Sequence, residues 1–219
     1  MRRQSHSFAL ALVLSFGLPA LAADETEAIK QAFSTYRSAI LSGNGATAAE
    51  LVTQSTLAFY DETRRLALFG DAKTVQEQSL VTQIQILTFR LRVPSEKLES
   101  LTARELVAYS IDQGWIGKDS VLQLQPGAVH TEGDVALLKV VVDGKEIDIG
   151  FRLERKAGTW RLNLLPTLKL ANTSFQMIAK QQGVSERELL LVLMESSLGR
   201  KIGDEAWQPL KNEAPAKRE

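Results

Sequence analysis

The spacing of apolar residues changes from a helical to a strand period near Val121, and this change limits the fold more than any other feature of the chain. Residues 147–153 alternate apolar with polar or glycine residues, as in a strand with one buried face. Asp143-Gly144 joins this strand to an apolar one before it, and Asp-Gly is a strong hairpin signal. The sequence therefore predicts a four-stranded antiparallel meander, with strands at 121–131, 135–142, 146–153 and 159–165.

Helices are predicted on both sides of this sheet. Apolar residues at steps of three and four predict helices over 24–42, 46–69, 73–92 and 172–182, with a break near Ser55-Thr56. Residues 83–86 also alternate like a strand, but the segment is too long for one strand and we prefer helix. Two more helices open at sequences with capping-box spacing, Thr102-x-x-Glu105 and Ser185-x-x-Glu188. The predicted fold is α+β, with N-terminal helices packed on a curved antiparallel β-meander and extra C-terminal helices.

Two details of these elements are also predicted. Pro126-Gly127 interrupts the first strand, which indicates a bulge or bend there. Residues 189–194 are apolar without interruption, which is typical of a helix buried on several sides or of a surface for a second copy of the chain. Trp207 is expected to hold the last ordered turn against the core.

The first 22 residues have the three parts of a secretory signal. Met1-Arg2-Arg3 is a basic start, residues 8–18 are mostly apolar, and Ala20-Leu21-Ala22 is a typical cleavage site. The apolar stretch is shorter than the roughly 20 residues of a spanning helix. We expect a cleaved signal peptide at 1–22, one α+β domain at 23–210, a disordered tail at 211–219 and no transmembrane segment in the mature chain. The product would be exported, to the periplasm of a Gram-negative bacterium or out of the cell.

Composition excludes several classes of function. Lys and Arg number 26, as do Asp and Glu, so the basic excess of a nucleic-acid-binding protein is missing. The chain has no cysteine, which excludes disulfides and thiolate chemistry. After cleavage His130 is the one histidine, too few for a histidine-rich metal site. We predict no nucleic-acid partner, no metal and no cofactor.

The end of the sheet resembles a known superfamily. Asp143-Gly144-Lys145, the alternating residues 146–153, and residues 156–162 with Gly158-Thr159-Trp160 resemble the last hairpin of nuclear transport factor 2-like proteins, the cone fold shared with ketosteroid isomerases. The resemblance covers about residues 24–165. The helices between about 69 and 117 and those after 170 depart from the compact family pattern and look like those of exported bacterial members of unassigned function. The resemblance implies an apolar pocket between sheet and helices, but no activity, because this fold hosts enzymes, binding modules and structural subunits.

Six residues are candidates for the wall of such a pocket: Tyr36, Tyr60, Asp61, Arg64, Trp115 and His130. Tyr60 and Asp61 attract attention because ketosteroid isomerases use a tyrosine and carboxylates in an apolar pocket, although they do not match that motif position by position. The alternatives stay open at this point. Asp61 and Arg64 could form a solvated ion pair, Trp115 could fill the core, and His130 could lie in an exposed turn.

Three functions are consistent with this pattern. The first is an exported, non-enzymatic protein that binds a small apolar ligand or a protein partner. The second is an isomerase- or hydrolase-like enzyme that uses Tyr60, Asp61 or His130. The third is a structural or assembly subunit that forms a homodimer through residues 189–194. We favour the first, because no convergent set of catalytic residues is visible in the sequence.

Overall fold

The computed structural model describes residues 18–116 and 118–212. The predicted signal peptide lies outside these residues as far as residue 17, and the predicted tail lies outside them from residue 213. Between these limits seven helices precede a four-stranded sheet and two more follow it. No helix of the described ranges is long and apolar enough to cross a membrane.

Helices precede and follow the sheet along the chain, as predicted. They are α1 (Leu18–Ser42), α2 (Gly45–Glu50), α3 (Gln54–Phe69), α4 (Ala72–Gln76), α5 (Leu80–Arg92), α6 (Ser95–Ser100), α7 (Ala103–Asp112), α8 (Leu165–Gln182) and α9 (Glu186–Leu198). Short 3₁₀ turns occupy Lys118–Ser120 and Asp204–Trp207. Both predicted capping boxes are present, at Thr102 before α7 and at Ser185 before α9. The fold is thus α+β, with a helical N-terminal part, a sheet and C-terminal helices.

The sheet is the predicted meander. Its strands β1 (Gln125–Glu132), β2 (Val135–Val142), β3 (Lys145–Lys156) and β4 (Thr159–Asn163) pair in chain order, each antiparallel to the next. Asp143 and Gly144 both have positive φ, 49° and 75°, as a type I′ hairpin turn requires. The register shift between Pro126 and Val129 confirms the predicted bulge in β1.

A second register shift, which the sequence did not predict, lies between Lys139 and Val140 of β2. Lys139 pairs with Gly150 of β3, but the next residue, Val140, pairs with Ile147, so Asp148 and Ile149 have no partner residue in β2. Ile149 is therefore 40% exposed, although simple alternation placed it on the buried face. Past the bulge the alternation returns, and Phe151 and Leu153 are buried.

The buried face of the sheet packs on the helices. Phe33 of α1 contacts Phe151 of β3, with ring centroids 5.0 Å apart. Leu138 of β2, Leu153 of β3 and Leu162 of β4 are fully buried in the same core. The opposite face is open to solvent and mixes polar with exposed apolar side chains such as Leu137. There Lys139 Nζ lies 2.7 Å from the fully exposed Asp148 carboxylate. Asp148 and Arg152 therefore face solvent, which resolves the alternatives that strand alternation left open.

Two predicted helices are each divided in the structure. Residues 46–69 break at 51–53 rather than near Ser55-Thr56, because this segment bonds to β4: Leu162 N donates to Leu51 O at 2.7 Å, and Thr53 N donates to Leu162 O at 2.9 Å. Residues 73–92 break before Ser79, whose hydroxyl accepts from Thr82 N and caps α5. Residues 83–92 are helical, so the preference for helix over strand is confirmed.

Other boundaries also differ from the predictions. The helix predicted at 172–182 begins at Leu165, so the fourth strand ends two residues earlier than expected, at Asn163. Pro166 stands at the start of α8, where its fixed φ suits a helix and its missing N–H costs nothing. The first strand begins at Gln125, after the 3₁₀ turn at Lys118–Ser120. Helix α6 was not predicted.

A buried arginine joins α5 to the end of α3 and to the C-terminal turn. Arg90 is 7% exposed, and its guanidinium donates to Leu66 O at 2.9 Å, Ala67 O at 3.0 Å, Ala206 O at 3.3 Å and to Gly70 O. The first two carbonyls belong to the last turn of α3, where the helix itself supplies no further N–H donors. Burial lowers the pKa of Arg90 to about 10. The C-terminal turn is further held by Trp207, which is buried and has the Arg187 guanidinium 4.4 Å from its ring centroid.

Candidate functional site

Tyr36 and Tyr60 lie together on the wall of a half-open cavity of about 210 Å³. Both residues are 3% exposed. The cavity lies between the buried face of the sheet and helices α1, α3, α5 and α8. Its lining residues are Tyr36, Ile40, Tyr60, Gln85, Ile116, Ser120, Val121, Phe151, Leu164, Thr167 and Leu168. We call this space the central cavity.

Helical spacing explains how the two tyrosines meet. Tyr36 and Ile40 are four residues apart on α1 and share its buried side with Phe33. Tyr60 of α3 is buried with Thr63, three residues on, while Asp61 between them turns outward. Ile116, Ser120 and Val121 line one side of the cavity. Because Ser120 is exposed, the cavity reaches the surface beside the 3₁₀ turn.

Trp115 lines a second, smaller space of about 70 Å³, which we call the side cavity. The side cavity shares Tyr60, Gln85 and Ile116 with the central cavity. The Trp115 ring stands edge-on to Tyr109, with centroids 5.4 Å apart, and lies 6.3 Å from Phe89. Trp115 is therefore both a packed aromatic residue and part of a cavity wall.

The central cavity is an environment that disfavours charge. None of its lining residues is acidic, basic or histidine. Burial raises the pKa of Tyr60 to about 12, an effect that a hydrogen bond with Gln85 partly offsets. Burial, and secondarily Tyr60, raises the pKa of Tyr36 still further. Both tyrosines are therefore neutral phenols at physiological pH.

Two buried oxygen atoms in this wall have no hydrogen-bond partner, Gln85 Oε1 and Thr167 Oγ1. They come from different helices, α5 and α8, and both residues line the central cavity. A buried polar atom without a partner costs about 1–3 kcal/mol. Native proteins keep few such atoms.

The other three candidate residues lie away from the central cavity. Asp61 is paired with Arg64, whose Nη2 is 2.7 Å from Asp61 Oδ1, and Arg64 also donates to Glu99 O at 3.0 Å. The side chain of His130 is 76% exposed on β1, with Nε2 3.4 Å from Glu132 Oε1. The structure thus brings Tyr36, Tyr60 and Trp115 together and leaves Asp61, Arg64 and His130 on the surface.

Gln85 and Thr167 were not among the candidate residues, and the sequence carries only a weak signal for them. Gln85 lies between Ile84 and Ile86 in a helix, four residues after the buried Val81. A glutamine on the core side of a helix needs a partner, and that is the signal available. Thr167 stands near the N-terminus of α8, a helix that was predicted to begin only at residue 172.

A larger cleft of about 520 Å³ opens between the start of α3 and the β3–β4 hairpin. Its wall is basic, but the arginines are already bonded within the protein. Arg104 pairs with Glu50 at 2.9 Å, and Arg155 pairs with Asp134 at 2.8 Å and with Glu25. Because these cations already have partners, the central cavity is the stronger candidate site. Within the described ranges no group of three or more acidic or histidine residues could hold a metal ion.

Comparisons with protein-family models, with curated proteins and with solved structures give no significant match. The functional argument therefore rests on the geometry of the cavities and on the chemistry of their walls.

Proposed function

We propose that this protein is an exported, non-enzymatic binding protein for a small, mostly apolar molecule held in the central cavity. The observation that carries the proposal is an apolar space between sheet and helices with a few polar groups in its wall, which is the usual composition of a ligand site. The cavity position agrees with the apolar pocket that a resemblance to nuclear transport factor 2-like proteins implies. Export is proposed from the signal-like residues 1–22.

The volume limits the size of the ligand. An engineered apolar cavity of roughly 150 Å³ is large enough for benzene, whereas drug-sized ligands occupy about 300–1,000 Å³. The central cavity, at about 210 Å³, suits a molecule with one ring or a short branched chain. The side cavity could accept a small substituent, because Tyr60 and Gln85 border both spaces.

The enzyme alternative has less support. A tyrosine and carboxylate mechanism requires both groups to reach the same substrate. Tyr60 lines the central cavity, but Asp61 faces the surface beside Arg64, and His130 lies exposed on the edge strand β1. The lining of the central cavity contains no carboxylate and no imidazole that could act as a base.

The homodimer alternative depends on residues 189–194 being free for a partner. Leu189, Leu190 and Met194 are instead buried within the same chain, and Val192 is the one largely exposed apolar side chain of this run, at 63%. The segment is therefore mainly a core helix, which favours ligand binding over assembly through α9.

The proposal is tested by measuring thermal stabilisation of the purified mature chain by single-ring compounds such as phenol, toluene and benzyl alcohol. Leu168→Phe fills the cavity from α8 and should abolish stabilisation by these compounds. Leu170→Phe is the matched control, because Leu170 lies on the same helix, is 43% exposed and does not line the cavity. The proposal is wrong if no compound stabilises the wild type, or if Leu168→Phe and wild type respond alike.

A further inference from the structure

Leu168 of α8 borders two spaces, the central cavity and a surface groove of about 210 Å³. We call the second space the α8 groove. Its walls include Phe59 of α3, Ser79 and Thr82 at the start of α5, and Leu165, Lys169 and Asn172 of α8. Ser79 and Lys169 are exposed, so the groove opens to solvent.

The two spaces lie side by side along the same three helices. On α3, Phe59 lines the α8 groove and the next residue, Tyr60, lines the central cavity. On α5, Val81 lines the groove and Gln85, one helical turn later, lines the cavity. On α8, Leu168 lines both. Its side chain is therefore the wall that the two spaces share.

The size of the joined space differs from that of the central cavity alone. Leu168 is only partly buried, and a change of its rotamer would open the central cavity to the α8 groove. The joined space is about twice as large as either part. It then falls within the roughly 300–1,000 Å³ of ordinary ligand sites, whereas the central cavity alone lies below that range.

The two spaces also differ in charge. The lining of the central cavity has no charged residue, whereas that of the α8 groove has one cation, Lys169, and no acid. No acidic side chain of the described ranges pairs with Lys169. Asn172 accepts from Val81 N at 3.4 Å through its oxygen, which leaves its amide N–H groups to donate. A negative group in the groove would thus meet an ammonium and a hydrogen-bond donor.

We propose that the ligand is an amphiphile with one negative charge, an alkyl carboxylate. Its hydrocarbon chain passes Leu168 into the central cavity, and its carboxylate lies in the α8 groove against Lys169. The carboxylate keeps part of its hydration there, while the chain enters the uncharged space. This inference rests on the proposed ligand-binding function and adds the chemical class of the ligand and the place of its head group.

The test is calorimetric titration of the purified mature chain with octanoate, octylammonium, 1-octanol and acetate. Octanoate should bind about fivefold or more tightly than octylammonium, because its head group meets a cation rather than being repelled by one. Acetate carries the same head group without a chain and should show no binding. Leu168→Phe should abolish octanoate binding, whereas the exposed control Leu170→Phe should leave it unchanged.

Lys169→Gln tests the head-group position directly. It removes the charge, so the affinity for octanoate should fall about fivefold while that for 1-octanol stays the same. Lys180→Gln is the matched control, because Lys180 is exposed on the same helix and lines neither space. Each variant is first checked by circular dichroism for an unchanged fold.

The outcomes separate this inference from the proposed function. The inference is wrong if octylammonium binds as tightly as octanoate, if Lys169→Gln and Lys180→Gln affect octanoate alike, or if Leu168→Phe still binds octanoate. It is also wrong if octanoate does not bind at all. In each of these cases the ligand-binding function stands as long as single-ring compounds stabilise the wild type. If neither octanoate nor any single-ring compound binds, both proposals fail.

Discussion

Replacing Arg90 by methionine is expected to lower the free energy of unfolding by about 3 kcal/mol. The guanidinium bonds to four backbone carbonyls, of which Leu66 O keeps a second bond from Gly70 N. The carbonyls of Ala67, Gly70 and Ala206 lose their arginine donor. Each buried carbonyl left without a partner costs about 1–3 kcal/mol, and removal of a buried charge returns part of that sum.

Urea unfolding followed by circular dichroism measures this loss. With a slope of about 2 kcal/mol per molar urea, a loss of 3 kcal/mol lowers the midpoint by about 1.5 M. Arg90→Lys should lose a comparable amount, because one ammonium group cannot reach all the carbonyls that the planar guanidinium spans. Arg92→Met is the control on the same helix. Arg92 makes exposed hydrogen bonds to Ser197, and its loss should cost less than about 1 kcal/mol.

The reasoning is refuted if Arg90→Met unfolds within about 1 kcal/mol of the wild type. That result would mean that water or other donors satisfy the end of α3 as well as the arginine does. The C-terminal turn would then be held mainly by Trp207, which also packs in the core.

Two further predictions concern pH and helix capping. Burial raises the pKa of Tyr60 from 10.0 to about 12 in the folded protein, so its contribution to stability is fully present below pH 10 and is lost as pH rises through 12. Tyrosinate absorbance should therefore show Tyr60 and Tyr36 ionising only when the protein unfolds. Titration of all tyrosines near their ordinary pKa in the folded protein would contradict this. Thr102→Ala and Ser185→Ala should each cost about 1 kcal/mol in urea unfolding, since each hydroxyl caps a helix. Ser196→Ala, at an exposed position in the last turn of α9, should cost nothing, and an equal loss there would refute the capping argument.

Local signals predicted the sheet and several helix starts. The meander depends on alternation and on Asp143-Gly144, and both act between neighbouring residues in the chain. The capping boxes at Thr102 and Ser185 are likewise complete within four residues. Such features are readable from sequence because the residues that stabilise them lie next to one another.

The features that sequence reasoning missed depend on distant contacts. The break at residues 51–53 arises from hydrogen bonds to Leu162, more than a hundred residues away. The exposed position of Ile149 follows from a bulge in how β3 pairs with β2. A local window contains neither partner, so no local pattern predicts these features.

At the candidate site, too, the sequence predicted some of the residues and missed others. Aromatic residues at core spacing, Tyr36 and Tyr60, lie on the central cavity, whereas the charged neighbours Asp61 and Arg64 lie outside it. Polar clustering in the sequence did not reveal which face of α3 is buried. Gln85 and Thr167 line the same cavity only because α5 and α8 pack together, and a local stretch of sequence contains only one of the two.

The 51–53 segment also has a consequence for how copies of this protein behave in solution. An uncovered edge strand can recruit another chain and start aggregation. Here the hydrogen bonds between Leu162 and the 51–53 segment occupy the outer edge of β4 at its centre. The other edge strand, β1, carries Pro126, which has no N–H to donate, and is distorted by a bulge directly after it. Each edge strand of the sheet is thus interrupted at one point as a template for pairing with a second chain, β4 at Leu162 and β1 at Pro126.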